Sequence, residues 1–475
     1  AKWVDPAVEP HLLRAIDGSG FARADDWTAG AVMPVPEADL ARVTAIPRSK
    51  GSPDLLAILE KAKQGATGLV EKEIVRLLKA RGDDFTLVCQ AADQLRAKVA
   101  GDEVTYCVNR NINYTNVCYF KCQFCAFSKG KMSENLRGRP YDLTHEEIMR
   151  RTREAWARGA SEVCLQGGIH PEYTGQTYID ICHSIKQAVP DVHIHAFSPL
   201  EVWQGAKTLG KPIPEFLREL KEAGLGTLPG TAAEILDDEV RATLCPDKIN
   251  TSQWLEVMEA AHGEGFNTTA TIMYGHLEEY RHVARHLLRV RNLQAKTGGF
   301  TEFVILPFIH EEAPLYLKGM ARKGPSFREA VLIHAVARLA LHPHFRNIHA
   351  SWTKLGHDGV KACLQAGVND IGGTLMNETI TRAAGAAHGQ ETSPEEMEQI
   401  ISSLGRSPRQ RSTTYGEPPD LQRQRSFGAV ELVEPIYTSA KKYDRKQSKH
   451  KRELVRSSVS EKSGDEEVIA SQDII

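Results

Sequence analysis

The sequence lacks any apolar run near the ~20 residues that span a bilayer; the stretch Phe303 to Ile309 is only strand length. A membrane-spanning reading is excluded on that ground. It also lacks an excess of either charge, with 59 Lys and Arg against 61 Asp and Glu and a formal charge of -2. No global field therefore draws it to nucleic acid or an anionic membrane. There is no basic-then-apolar leader and no initiating Met, since the chain opens Ala1-Lys2-Trp3. This predicts a fragment or processed chain, soluble and cytoplasmic, rather than a secreted precursor. Nine cysteines, an odd number without a leader, argue against a disulfide framework. What is present is ordinary for a globular protein: 475 residues, 41% hydrophobic and 25% charged. That length suits about three average domains, or one large α/β barrel with additions.

Composition divides the chain into four zones. Residues 1–51, with Pro6, Pro10, Pro34, Pro36 and Pro47, read as a linker-like lead-in. Residues 52–100 place Leu55, Leu56, Ile58, Leu59, Ile74, Leu77 and Leu78 at helical spacing, which predicts a small helical layer. Residues 101–415 alternate short apolar runs with amphipathic ones, as parallel strands joined by helices do. Residues 416–475 are polar, with a basic cluster from Lys441 to Arg456, and predict a disordered tail whose deletion leaves activity intact.

Eight candidate strands follow from the central zone: Asn111 to Thr115, Glu162 to Leu165, His193 to Phe197, Leu225 to Leu228, Thr268 to Met273, Glu302 to Phe308, Asn347 to Ala350 and Asn369 to Ile371. Thr144 with Glu147, and Ser393 with Glu396, mark capping boxes before helices. The expected fold is α/β, a (β/α)8 TIM-type barrel with an N-terminal helical layer; a six-unit partial barrel with a cap is the alternative. Barrel sites lie at the C-terminal strand ends. Polar residues sit there in phase with the strands, including Ser198, Glu234, His276, His310, Ser351, Lys354 and Thr374. They predict a polar cavity over the barrel mouth. His193 and His195 are expected to point at least one ring into the helix layer. His282 and His286, among Arg281, Arg285 and Arg289, read as part of a solvated helix face.

Three cysteines crowd one loop, Cys118, Cys122 and Cys125, while the other six are scattered as small buried hydrophobes. Three thiolates at this spacing hold three irons of a 4Fe-4S cubane and leave the fourth open, because a closed cluster takes four cysteines. The competing reading is zinc in a stabilised binding protein, with His145 or His170 as fourth ligand.

The loop, with Phe124 before its last Cys, resembles that of the radical S-adenosylmethionine superfamily. The resemblance implies that Cys118, Cys122 and Cys125 ligate the cluster. It also implies that Phe124, Gln166, Gly167, Gly168 and Ser198 bind S-adenosylmethionine, Phe124 by the adenine and the glycine pair by the methionine amino group. Ile169 stands where the glycine motif often has Glu. Asn109 to Cys118, Gln166 to Pro171, His195 to Pro199, Pro229 to Leu236 and Met273 to His276 are similar to one branch. It contains the tyrosine-using half of FO synthases and the aminofutalosine and cyclic futalosine enzymes of menaquinone biosynthesis. Thr301 to Val304, Leu306 to Phe308, Ala313 to Tyr316 and Arg409 to Tyr415 resemble FO synthases most. So do Trp3 to Pro6 and Asp25 to Gly30, which are similar to the junction of fused two-half enzymes.

That resemblance implies a transferase that cleaves L-tyrosine between Cα and Cβ after hydrogen abstraction by a 5'-deoxyadenosyl radical. The 4-hydroxybenzyl fragment would join C5 of 5-amino-6-(D-ribitylamino)uracil, on the way to the deazaflavin chromophore FO. An electron donor and a cyclising half fused upstream are the implied partners. Glu234, His276, His310 and Lys354 are the candidate catalytic residues.

Overall fold

The computed structural model describes residues 4–5, 7–66, 68–128 and 139–440. Ten strands form one parallel sheet: β1 (Glu103–Cys107), β2 (Asn109–Ile112), β3 (Glu162–Leu165), β4 (His193–Ala196), β5 (Thr227–Leu228), β6 (Asn267–Tyr274), β7 (Phe300–Pro307), β8 (Ile348–Ala350), β9 (Asp370–Gly373) and β10 (Ser407–Arg411). Their order is β10-β1-β9-β8-β7-β6-β5-β4-β3-β2. β1 continues through Val108 into β2. β1 pairs with β9 on one edge and β10 on the other, while β2 pairs with β3. Arg110 also bridges to Met376, just past β9. The sheet thus curls around one lumen, and the β1–β2 strand meets both of its ends.

The connecting helices start where their caps place them. Thr144 Oγ1 accepts the Glu147 N–H at 3.3 Å. Ser393 and Glu396 exchange bonds at 3.2 and 2.8 Å. Outside the barrel, helices Pro53–Gln64, Glu71–Leu78 and Asp83–Ala100 pack on helix Phe327–Leu341. All fifteen residues of that helix are buried; most are apolar, and Arg328, Glu329, His334 and Arg338 are buried with hydrogen-bond or ion-pair partners. Leu55, Leu59, Ile74, Leu77 and Leu78 fill the seam, each contributing roughly 1.5–3 kcal/mol by leaving water.

Five features differ from the sequence reading. The first strand begins at Glu103, not Asn111, because Val104–Val108 carries the buried run. Asn113 and Thr115 instead turn to bond Gln166 and Tyr141. β10 was not foreseen: Ser407–Arg411 has no apolar alternation, and its pairing with β1 makes it a strand.

The lead-in is docked rather than free. Trp27 is 2% exposed and meets Phe327 edge-on, the Gly30 N–H donates to the Lys354 carbonyl at 2.7 Å, and the Ala387 N–H donates to Gly30. Residues 416–440 also pack, through helix Asp420–Ser426 and a strap that follows it. Gln422 Nε2 donates to the Trp156 and Ala160 carbonyls, and Arg158 Nε to that of Val430. Residues 441–475, including the basic cluster, lie outside the described residues.

Finally, His282 and His286 are buried. His286 Nδ1 accepts the Leu236 N–H at 2.9 Å, while the neighbouring arginines pair with Asp237, Glu239 and Glu71. Among the described residues, no helix is long and apolar enough to cross a membrane.

Candidate active site

A cavity of about 410 Å³ opens at the C-terminal strand ends and runs down into the lumen. Cys118, Cys122 and Cys125 line it together with Phe124. Their loop is clamped on three sides. The Tyr119 N–H donates to the Ile169 carbonyl at 3.2 Å, the Gln123 N–H to Leu244 at 2.9 Å, and the Leu315 N–H to the Gln123 carbonyl at 2.7 Å. The Ser128 N–H donates to Cys125 Sγ at 3.3 Å. Burial pushes all three thiols above their ordinary pKa, so the thiolate forms need a cationic partner.

The glycine pair explains how β3 fits beneath this loop. A Cβ on Gly168 would sit 2.3 Å from the Val117 carbonyl oxygen and 3.0 Å from Cys118 Cβ. One on Gly167 would strike the Tyr114 ring at 2.4 Å. The Gly168 N–H donates to Thr115 at 2.8 Å. Gln166 and Ser198 complete this part of the wall. Ser198 caps helix Pro199–Leu209, and its hydroxyl donates to Glu201 at 2.6 Å.

This donor set fits a 4Fe-4S cluster. Cysteine sulfurs are the donors such a cluster takes, and those of Cys118, Cys122 and Cys125 line one cavity. They share a cavity wall relieved by two glycines.

Of the candidate catalytic residues, Glu234 and Lys354 line the cavity and His276 and His310 do not. Glu234 holds a left-handed φ of 45°, a strained conformation that its surroundings must enforce. Its carboxylate accepts Lys248 Nζ at 2.6 Å, and that ammonium lies 5.4 Å from the Phe124 ring centroid. Gly275, at φ 95°, turns His276 inward, where its ring bonds the Met273 carbonyl and the Leu277 N–H. His310 stacks edge-on to Tyr316, and burial lowers its pKa to about 4. Ser351 reaches the cavity, whereas Thr374 is spent on the Asn109 backbone.

Sequence reasoning missed the polar floor. Arg411 Nε donates to Asp370 at 2.6 Å and Arg411 Nη2 to Glu302 at 3.2 Å. Glu302 also bonds His349 at 3.2 Å and the Tyr415 hydroxyl at 2.8 Å. Glu162 accepts Asn109 Nδ2 at 2.8 Å and the Thr413 hydroxyl at 2.6 Å. Burial alone would raise the Glu302 carboxyl, but Arg411 and His349 outweigh it and hold it at about 2. His195 lines the cavity instead of entering the helix layer, and His193 lies on the same side: both rings bond the Thr227 hydroxyl, at 2.8 and 2.7 Å, because residues i and i+2 of a strand share a face. A lone charged residue in a largely apolar strand, as Glu162 is in β3 and Glu302 in β7, was the available signal.

Residues 112–290 match the radical SAM superfamily, and residues 297–423 match the CofH/MqnC C-terminal region. A Methanopyrus kandleri protein named 5-amino-6-(D-ribitylamino)uracil--L-tyrosine 4-hydroxyphenyl transferase is 46% identical over 367 residues, 77% of this chain and 98% of its own length. An FO synthase of Streptomyces coelicolor is 41% identical over 462 residues, 89% of this chain and 53% of that relative. The chain thus spans about half the length of the FO synthases it matches. Among solved structures, methylornithine synthase superposes with a TM-score of 0.58 at 19% identity, over 74% of this chain and 97% of that one. HydG, the FeFe-hydrogenase maturase of Carboxydothermus hydrogenoformans, gives 0.57 at 16% identity, over 80% and 83%. These two establish the fold alone. The chain belongs to the radical SAM superfamily and, within it, to the family of the M. kandleri protein. The superfamily implies a 4Fe-4S cluster and S-adenosylmethionine.

Proposed function

We propose that this chain transfers the 4-hydroxybenzyl group of L-tyrosine to C5 of 5-amino-6-(D-ribitylamino)uracil, in biosynthesis of FO. The near-complete overlap with the M. kandleri transferase at 46% identity carries this reading. Cys118, Cys122 and Cys125 hold the cluster, and Phe124, Gln166, Gly167, Gly168 and Ser198 hold S-adenosylmethionine. Together these groups supply, when bound and reduced, the oxidising radical that starts tyrosine cleavage. Glu234 and Lys248 brace the cysteine loop by their ion pair. The barrel wall shields the reacting fragments from water, and the floor of Glu162, His195, Glu302 and His349 offers hydrogen-bond partners to the donor-rich ribityl uracil.

We assign the chemistry to residues 101–415, with 52–100 as an outer layer. The transfer requires an electron donor, and carrying its product on to FO requires a cyclising half. The test is anaerobic reconstitution followed by incubation with S-adenosylmethionine, reductant and the aminouracil, with and without tyrosine. Tyrosine-dependent 5'-deoxyadenosine is expected. Incorporation of S-adenosylmethionine carbon into the product would instead mark an aminofutalosine-type enzyme, and reconstituted protein holding zinc without iron would mark a zinc-stabilised one.

A further inference from the structure

The reaction proposed above involves two α-amino-acid zwitterions, the methionine end of S-adenosylmethionine and the tyrosine. The glycine pair beside the cysteine loop is assigned to the first. A second charged grip lies after β8 and β9. Lys354, in the first turn of helix Trp352–Leu364, and Glu378, beyond β9, both line the cavity. Lys354 Nζ donates to the Thr381 hydroxyl at 3.0 Å. The Thr381 N–H in turn lies 2.9 and 3.1 Å from the two oxygens of Glu378. Among the described residues the two charges feel each other across Thr381 without a direct ion pair.

That arrangement leaves binding capacity on both groups. An ammonium has three N–H donors and one is used; a carboxylate has about four acceptor sites and a single N–H is shared between its oxygens. Both groups are held before any ligand arrives. Gly30 of the docked lead-in bonds the Lys354 carbonyl at 2.7 Å. The Glu378 backbone is tied on both sides to Gln390, at 3.0 and 2.9 Å. The turn that delivers Glu378 carries left-handed φ values at Leu375 (56°) and Asn377 (63°), the kind of strain that persists where a side chain must be presented. Burial lowers the Lys354 pKa, and a bound carboxylate would relieve that cost. A neutral uracil needs no such separated pair of opposite charges, whereas an amino acid satisfies both at once with charge-assisted hydrogen bonds.

We propose that Lys354 and Glu378 form the pocket for the α-amino-acid end of the substrate, Lys354 taking the carboxylate and Glu378 the ammonium. This rests on the function proposed above for its choice of tyrosine. The test is equilibrium binding to the reconstituted protein of L-tyrosine, tyramine, 3-(4-hydroxyphenyl)propionate and S-adenosylmethionine. Lys354→Met should weaken tyrosine binding at least about tenfold and erase the preference for tyrosine over tyramine. Glu378→Gln, which keeps the side-chain shape, should do the same against the propionate. S-adenosylmethionine should bind both variants within about twofold of wild type. Thermal melts establish that each variant is folded, and Glu378→Gln suffices if Lys354→Met is not. Unchanged tyrosine affinity in the folded variants would overturn the pocket, as would loss of S-adenosylmethionine binding in parallel. If wild type binds a different L-α-amino acid through the same two residues, the pocket stands and the tyrosine reading falls. Binding of no α-amino acid overturns both.

Discussion

Gly168 and the cysteines above it share one constraint, close approach. Replacing Cys118, Cys122 or Cys125 with Ala removes one of the three proposed metal donors, and each variant should lose the proposed tyrosine cleavage by at least about a hundredfold. Gly168→Ala should do nearly as much with all three donors intact, because its methyl would meet the Val117 carbonyl at 2.3 Å. Iron and sulfide content after reconstitution separates the two effects from simple unfolding.

Glu329 governs a different property. Burial would raise its carboxyl, but Arg322, the N–H groups of Ser326 and Gly18, and Arg328 outweigh it and hold the pKa at about 2 against an ordinary 4.5. A carboxyl depressed in the folded state stabilises above its unfolded pKa, and that contribution is lost as pH falls. Roughly 3 kcal/mol should therefore vanish between about pH 4.5 and pH 2. Urea midpoints measured across that window should fall for wild type and change less for Glu329→Gln, which is already weakened at neutral pH.

At the scale of elements, the C-terminal strap does what a disordered tail does not. The Val433 N–H donates to Glu154 at 2.6 Å and the Ile436 N–H to Glu147 at 3.1 Å. Tyr437 packs its ring 4.8 Å from that of Tyr141. Tyr141 in turn bonds the Asn113 carbonyl at 3.0 Å, on the segment that leads into Cys118. A chain ended at residue 440, which keeps the strap, is the reference. Ending it at residue 426 should lower the melting temperature by about 4 °C or more and speed iron loss; equal behaviour of the two truncations would remove the strap from this role.

The strap and β10 were illegible in the sequence for one reason. Their conformation is set by partners distant in sequence: β1 for Ser407–Arg411, and the Glu154 and Glu147 side chains for the strap. The helices that begin at Thr144 and Ser393 were legible because their caps are local.

Across the whole molecule, the same distinction divides the site. Cys118, Cys122 and Cys125 lie within one loop, so their spacing alone was enough to nominate a metal site. The floor joins Glu162, Glu302, His349, Asp370 and Arg411 from five strands, and no local pattern connects residues so far apart. His276 and His310 show the converse. Both follow strands as cavity residues do, yet the turn at Gly275 and the packing on Tyr316 take them elsewhere.

A curled parallel sheet, a cysteine loop over its mouth and a charged floor beneath enclose one cavity, and the central claim is that tyrosine is split inside it. Anaerobic turnover with tyrosine carrying ¹³C at either Cα or Cβ, followed by mass analysis of the aminouracil adduct, tests that claim most directly. Label from Cβ should appear in the adduct and label from Cα should leave as a two-carbon imino acid. An adduct that retains Cα, or one that carries adenosyl carbon, would contradict it.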